Sequence, residues 1–167
     1  MKTVKIFVVT AIVLFAFGCN TKNDVSNKNK LTTEDSLKVV KEVNDAIDNY
    51  TQAHISLNSE KTAEYFVNSP ELVVAENSEL TPNWDAVAKQ IKDVHATFVS
   101  PKLSLENRKV LALSLNSAAV TCKISFEALT KDKKKFAAAG YATFVLAKQN
   151  DQWKFFQYHE SYKILTK

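Results

Sequence analysis

The hydrophobic period of this chain changes once, near Pro101. Before this proline, apolar residues recur at intervals of three and four, which is the spacing of a helix that buries one face. After it, apolar and polar residues alternate one by one, as in a strand with one buried face. A group of helices followed by a run of strands predicts an α+β domain.

Three helices are predicted before Pro101. The first begins at Thr32 or Thr33, the second covers residues 60–67, and the third opens at Pro82, where a missing N–H is harmless. The expected buried stripe of the first helix is Leu37, Val40, Val43, Ile47 and Tyr50, and that of the third is Trp84, Val87, Ala88, Ile91, Val94 and Phe98.

Four long strands are predicted after Pro101, at residues 103–115, 118–129, 136–148 and 152–164, and a short strand precedes them at residues 72–75. The connections between the long strands are short and polar, which favours an antiparallel meander. We expect this sheet to curve around the first and third helices, so that its concave face encloses a pocket.

The N-terminal segment has the features of an export signal. Lys2 and Lys5 precede an apolar run at residues 6–17, which would span about 18 Å as a helix against the ~30 Å of a bilayer core. The segment Ala16-Phe17-Gly18-Cys19 resembles the lipobox of bacterial lipoproteins, in which the cysteine becomes the acylated first residue. We therefore expect a signal peptide at residues 1–18, lipidation at Cys19, a polar tether to residue 31, and a folded domain over residues 32–167. This organisation predicts a lipid-anchored protein of the cell envelope, facing the periplasm or the cell surface.

Charge and composition exclude some other classes of protein. The formal charge of +4 falls to about +2 without Lys2 and Lys5, which is too balanced for a nucleic-acid-binding face. The histidines at positions 54, 95 and 159 lack metal-ligand spacing, so we expect no metal. We also expect no cofactor. Cys122 lies in an alternating run, and we expect a buried, unreactive thiol.

The order of the elements, together with the C-terminal strand, resembles the nuclear transport factor 2-like superfamily. In that strand, Trp153-Lys154 is followed by Phe155-Phe156 and then by His159 and Ser161, an ending similar to that of the SnoaL-like branch, which is related to ketosteroid isomerase. The resemblance covers about residues 36–164. It implies a cone-shaped domain, a curved antiparallel sheet wrapped around N-terminal helices, with a pocket inside.

Strict alternation along the last strand places Gln157, His159 and Ser161 on the same face as Trp153 and Phe155. That face is expected to be the buried one, unless a bulge intervenes. The predicted ligand-binding residues are Tyr50, Trp84, Phe98, Gln157, His159 and Ser161. A core histidine hydrogen-bonded to a helix is the alternative for His159.

The resemblance also implies a catalytic alternative. Tyr50 and Glu76 approximately match the regions of ketosteroid isomerase that supply an oxyanion-holding tyrosine and a carboxylate base. The match at Glu76 needs a two-residue shift, and a second oxyanion acid has no counterpart. The sequence therefore favours Glu76 as a solvated turn acid and Tyr50 as an ordinary core aromatic.

The main prediction is a noncatalytic domain that binds a small, largely apolar molecule. One alternative is an enzyme of the isomerase, cyclase or hydrolase type that uses Tyr50, Glu76 and His159. The other alternative is a dimerisation or scaffold domain that pairs with a second copy, as a homodimer, through the outer face of the sheet. Phe156, Tyr158 and Tyr162 are expected on that face, because they alternate with the residues predicted to face inward.

Overall fold

A computed structural model describes residues 31–165 of the chain. The helices are α1 (Thr33–Ile55), α2 (Ser59–Ala63) and α3 (Trp84–Thr97), and the strands are β1 (Val73–Glu76), β2 (Glu79–Pro82), β3 (Phe98–Ser114), β4 (Ser117–Thr130), β5 (Lys135–Gln149) and β6 (Gln152–Ile164). The predicted signal peptide, the predicted lipidation at Cys19 and nearly all of the predicted tether lie outside the described residues. No helix between residues 31 and 165 is long and apolar enough to cross a membrane.

The strands form one six-stranded sheet in the order β2-β1-β6-β5-β4-β3. The four long strands pair antiparallel in chain order, which confirms the predicted meander. β1 joins the sheet beside β6 and runs parallel to it. The sheet curves around the helices, so the predicted α+β class and cone-shaped architecture are confirmed.

Helix α1 begins where the sequence predicted. The Thr32 side chain accepts a hydrogen bond from the Asp35 amide while the Asp35 carboxylate accepts one from the Thr32 amide, a reciprocal cap that satisfies two free donors. The buried stripe differs from the prediction at its start, because Leu37 is 66% exposed and Val39 is buried instead. Val39 precedes the buried Val43 by four residues and so shares its face, whereas a six-residue offset turns Leu37 about 120° away.

Helix α3 begins two residues later than predicted. Pro82 pairs with Val73 at the end of β2, an edge strand in which a residue without an N–H costs nothing. Asn83 caps the helix by accepting a hydrogen bond from the amide of Ala86. Trp84 therefore lies in the first turn, where its Nε1–H donates to the Ala63 carbonyl at 3.1 Å.

A β-bulge interrupts β6 at Phe156. Gln157 pairs with Val145, and Phe155 pairs with the next residue, Leu146, so that Phe156 has no partner of its own. One extra residue reverses the facing of every side chain that follows. Beyond the bulge, Tyr158 and Glu160 are buried and His159 is exposed.

Buried side chains from α1 and the sheet form the core under this bulge. Tyr50 packs edge-to-face on Phe155, with ring centroids 4.9 Å apart, and Phe144 lies 4.6 Å from Tyr158. Gly140 allows β5 and β6 to approach closely, because a Cβ at this position would overlap the Ser161 carbonyl oxygen.

Candidate functional site

A cavity of about 160 Å³ lies between the inner face of the sheet and helices α1 and α3. Its wall is mostly apolar and carries a few phenol, carboxyl, amide and imidazole groups. The lining side chains are Tyr50, His54, Phe66, Val74, Glu76, Val87, Gln90, Ile91, Val94, Phe98, Leu103, Ile124, Phe126, Phe136, Ala138, Tyr158, Glu160 and Tyr162. This is the general form of a small-molecule site.

Two glutamates on neighbouring strands face this cavity. Glu76 is the last residue of β1, and it pairs in register with Glu160 of the parallel strand β6. Neighbouring strands are about 4.8 Å apart, so the two carboxylates project side by side from the same face. Like charges at paired positions repel each other, which makes this arrangement costly unless something compensates for it.

The pKa values of both carboxyl groups are shifted upward. Burial raises the pKa of Glu160 to about 7, and the negative charge of Glu76 adds to that rise. Burial and then the charge of Glu79 raise the pKa of Glu76. Glu76 is therefore a half-buried cavity acid, and the prediction of a solvated turn acid is wrong.

Each carboxylate is hydrogen-bonded through only one of its oxygens. The Tyr158 hydroxyl donates to Glu160 Oε2 at 2.8 Å, and Gln90 Nε2 donates to Glu76 Oε2 at 3.1 Å. Among residues 31–165, no group donates to Oε1 of either glutamate. Oε1 of each glutamate is thus free to accept a hydrogen bond from a ligand in the cavity.

The phenols of the cavity remain protonated at neutral pH. Tyr50 and Tyr158 are each 5% exposed, and burial raises the pKa of both hydroxyl groups above the ordinary value, as does the charge of Glu160. A protonated phenol can donate a hydrogen bond to a ligand or to a carboxylate.

A pair of histidines lies at the C-terminal ends of α1 and α3, and one of the two lines the cavity. His54 Nδ1 and His95 Nε2 are 3.3 Å apart, and only His54 lines the cavity. Burial, and the nearby His95, lower the pKa of His54 to about 4, so its ring is neutral at physiological pH. No lysine or arginine in the described part of the chain lines this cavity.

The structure brings together some of the predicted site residues and separates others. Tyr50, Phe98 and Glu76 line the cavity. Trp84 does not, because it packs against α2. The prediction that Gln157, His159 and Ser161 face inward is wrong, because the bulge at Phe156 turns all three to the exposed outer face.

The same bulge also overturns the outward facing expected of Phe156, Tyr158 and Tyr162. Tyr158 and Tyr162 line the cavity, and Phe156 packs partly against the core. Sequence reasoning thus missed Tyr158, Glu160 and Tyr162 as cavity residues. The signal that could have found them is the consecutive apolar pair Phe155-Phe156, which breaks the alternation of the strand.

No group of three or more His, Cys, Asp or Glu side chains within the described residues could hold a metal ion. Cys122 is fully buried, and burial raises the pKa of its thiol to about 11. A protonated, inaccessible thiol is a poor nucleophile, so Cys122 is part of the core.

A curved sheet that encloses an apolar cavity against N-terminal helices is a fold shared with nuclear transport factor 2-like proteins. The family model of the SnoaL-like domain matches residues 43–165, and the chain belongs to that family. No curated protein matches its sequence.

Several solved structures share the fold. A protein from Novosphingobium aromaticivorans, provisionally assigned as a scytalone dehydratase, has a TM-score of 0.74 at 16% identity, with 79% of this chain and 89% of that chain covered. A nuclear transport factor 2-like protein from Salmonella enterica has a TM-score of 0.69 at 20% identity, with 78% and 94% covered. The hexachlorocyclohexane dehydrochlorinase LinA type 2 has a TM-score of 0.67 at 9% identity, with 81% and 94% covered. At these identities the likeness shows the fold alone.

Proposed function

We propose that this chain is a lipid-anchored protein of the cell envelope whose SnoaL-like domain binds a small, largely apolar molecule. The observation that carries the proposal is the cavity itself, which is lined mainly by Phe, Val, Leu and Ile side chains and has polar groups at few points. A cavity of about 150 Å³ holds a benzene-sized molecule in other proteins. A ligand built around one ring fits the 160 Å³ available here.

The membrane part of the proposal rests on the N-terminal sequence. Gly18-Cys19 follows an apolar run of export-signal length, and residues 20–30 are polar except Val25. Acyl chains on Cys19 would hold the domain at a membrane surface, and the polar segment would separate the domain from the lipid.

A cavity-filling variant tests the binding function. Ala138 lines the cavity from β5 and is 6% exposed, whereas the neighbouring Ala139 faces the other side of the sheet. With benzyl alcohol as a neutral ligand of one ring, Ala138→Leu should abolish the binding heat measured by titration calorimetry, and Ala139→Leu should preserve it. Equal binding by both variants would place the ligand outside this cavity.

A second candidate function is an enzyme that transfers protons, and the specific observation in its favour is Glu160. A carboxyl group with a pKa near 7 in an apolar cavity, hydrogen-bonded to Tyr158, is suited to act as a general acid or base. The names of two structural neighbours, a dehydratase and a dehydrochlorinase, describe eliminations, which need such a base. His159 has no part in this candidate, because it lies on the outer face.

Binding and catalysis predict different effects of Glu160→Gln. Loss of a general base would abolish turnover of a bound compound and leave its binding largely intact. Small molecules that copurify with the wild-type protein are incubated with wild type or with Glu160→Gln. Mass spectrometry then measures how much product each protein has formed. Identical product formation by wild type and Glu160→Gln would rule out Glu160 as the base.

A further inference from the structure

We propose that the ligand of this cavity is a small organic cation, an apolar amine whose positive group lies between Glu76 and Glu160. This inference rests on the proposed binding function and names the chemical class of the ligand. The paired positions of the two glutamates on β1 and β6 bring two carboxylates to one point of the wall.

At pH 8, above the pKa of Glu160, the charge of the cavity is unbalanced without such a ligand. Among residues 31–165, two carboxylates line it, no lysine or arginine does, and the one imidazole, that of His54, is held neutral by burial. A cation between the carboxylates would replace their mutual repulsion by two attractions, and these are strong where water is excluded.

The hydrogen-bonding groups also suit an ammonium ion. Oε1 of Glu76 and Oε1 of Glu160 receive no donor from the described residues, whereas Oε2 of each is already occupied by Gln90 or Tyr158. An ammonium group carries three donors and no acceptor, so it can satisfy both free oxygens at once. A neutral alcohol, with one donor, would leave at least one of them unsatisfied.

The rest of the wall is suited to a cation with an apolar body. Seven aromatic rings line the cavity, from Tyr50, Phe66, Phe98, Phe126, Phe136, Tyr158 and Tyr162. The faces of such rings attract ammonium groups, and this attraction increases where the cation is desolvated. An anion would meet the two carboxylates and the negative faces of these rings, so the site disfavours it.

Three one-ring compounds of similar size test the charge preference: benzylamine, benzyl alcohol and benzoate, which are cationic, neutral and anionic at pH 8. Titration calorimetry on the full chain should show benzylamine binding at least tenfold more tightly than benzyl alcohol, because a hydrogen bond to a charged group is the stronger kind. Benzoate should show no binding.

Single substitutions connect the preference to the two glutamates. Glu160→Gln and Glu76→Gln should each weaken benzylamine binding about tenfold or more and weaken benzyl alcohol binding by a smaller factor, so that the preference for the amine over the alcohol falls in both variants. Glu127→Gln is the matched control, because Glu127 is exposed on β4, and it should change neither affinity.

The outcomes separate this inference from the function on which it rests. If benzyl alcohol binds as tightly as benzylamine, or if benzoate binds best, the inferred positive charge is wrong and the cavity remains a binding site. If benzylamine binding survives in both glutamine variants, the glutamates do not hold the charge. If none of the three compounds binds, both the cation and the proposed binding function are overturned.

Discussion

Glu76 and Glu160 occupy paired positions on the parallel strands β1 and β6, and both side chains face the same apolar cavity. The two residues are far apart in the chain. The alternation of side chains along β1 and along β6 determines separately which side of the sheet each of them faces. Their pairing gives the cavity two adjacent acids and a polar end. The chemistry that we propose for this domain depends on that pairing.

The first prediction concerns the pH dependence of stability. The pKa of Glu160 is raised from 4.5 to about 7 in the folded protein, so the folded state retains a proton that the unfolded state loses between these pH values. The free energy of unfolding therefore falls as pH rises through this window, by at most about 3 kcal/mol from this group. Glu160→Gln removes this titration, so its stability relative to wild type should increase from pH 5 to pH 8 in urea unfolding.

Other groups near Glu160 titrate in both proteins, so the comparison between them reports Glu160 together with its coupling to these neighbours. They are Glu76 on β1, Tyr50 and His54 on α1, Cys122 on β4, and Tyr158 and Tyr162 on β6. Of these, His54 acts in the opposite sense, because its pKa near 4 makes stability rise with pH between about 4 and 6.5. A stability difference that stays constant from pH 5 to pH 8 would contradict the raised pKa of Glu160.

The second prediction concerns the close approach of β5 and β6. In Gly140→Ala, the added Cβ would overlap the Ser161 carbonyl oxygen and lie 2.6 Å from Tyr162 Cα, both of which are backbone atoms. The strands would have to separate, at a cost of about 1–3 kcal/mol in urea unfolding. Thr143→Ala, at an exposed position of the same strand, should change stability by less than about 0.5 kcal/mol. Equal stabilities of the two variants would show that β5 and β6 are not packed this closely.

The third prediction concerns the opposite end of the core. Trp153 is 6% exposed, and its Nε1–H donates to Glu42 Oε2 at 2.8 Å. Trp153→Ala should lower the free energy of unfolding by about 3–5 kcal/mol, because it leaves a large void under the sheet. The control is Tyr141→Ala, since Tyr141 is 69% exposed and should contribute little. A loss below about 1 kcal/mol at Trp153 would mean that the inner face of β6 is wrongly assigned before the bulge.

The fourth prediction tests the bulge through binding. His159 and Glu160 are adjacent in β6 and face opposite sides of the sheet. His159→Ala should therefore leave the benzylamine affinity within about twofold of wild type, while Glu160→Gln weakens it about tenfold or more. If His159→Ala weakened binding and Glu160→Gln did not, His159 would face the cavity, as strict alternation along β6 predicts.

The fifth prediction concerns the proposed anchor. Cys19→Ala should release the protein from the membrane fraction or leave its precursor uncleaved, because the acylated side chain is missing. The measurement is immunoblotting of fractionated cells, with Cys122→Ala as the control that keeps the proposed acylation site. Intact mass spectrometry of the wild-type protein should show acyl mass on Cys19, and its absence would refute lipidation.

Local patterns in the sequence were enough to predict the order of the elements. The bounds of β6 agree at Gln152–Ile164, and the short polar turns identified the antiparallel meander. Trp153 and Phe155 were also assigned correctly to the inner face. Neighbouring residues encode these features, because a hydrophobic period and a short connection can be recognised without knowing which distant segments pack together.

Tertiary structure decided the facing of β6 beyond Phe155 and the composition of the cavity. A bulge exists only relative to a partner strand, and it depends on how β5 pairs on either side of Phe156. The pairing of Glu76 with Glu160 likewise depends on β1 adding to the sheet beside β6, a contact between segments distant in the chain. The sequence alone thus determined which segments are helices and strands, and the packing of the whole chain determined which side chains meet in the cavity.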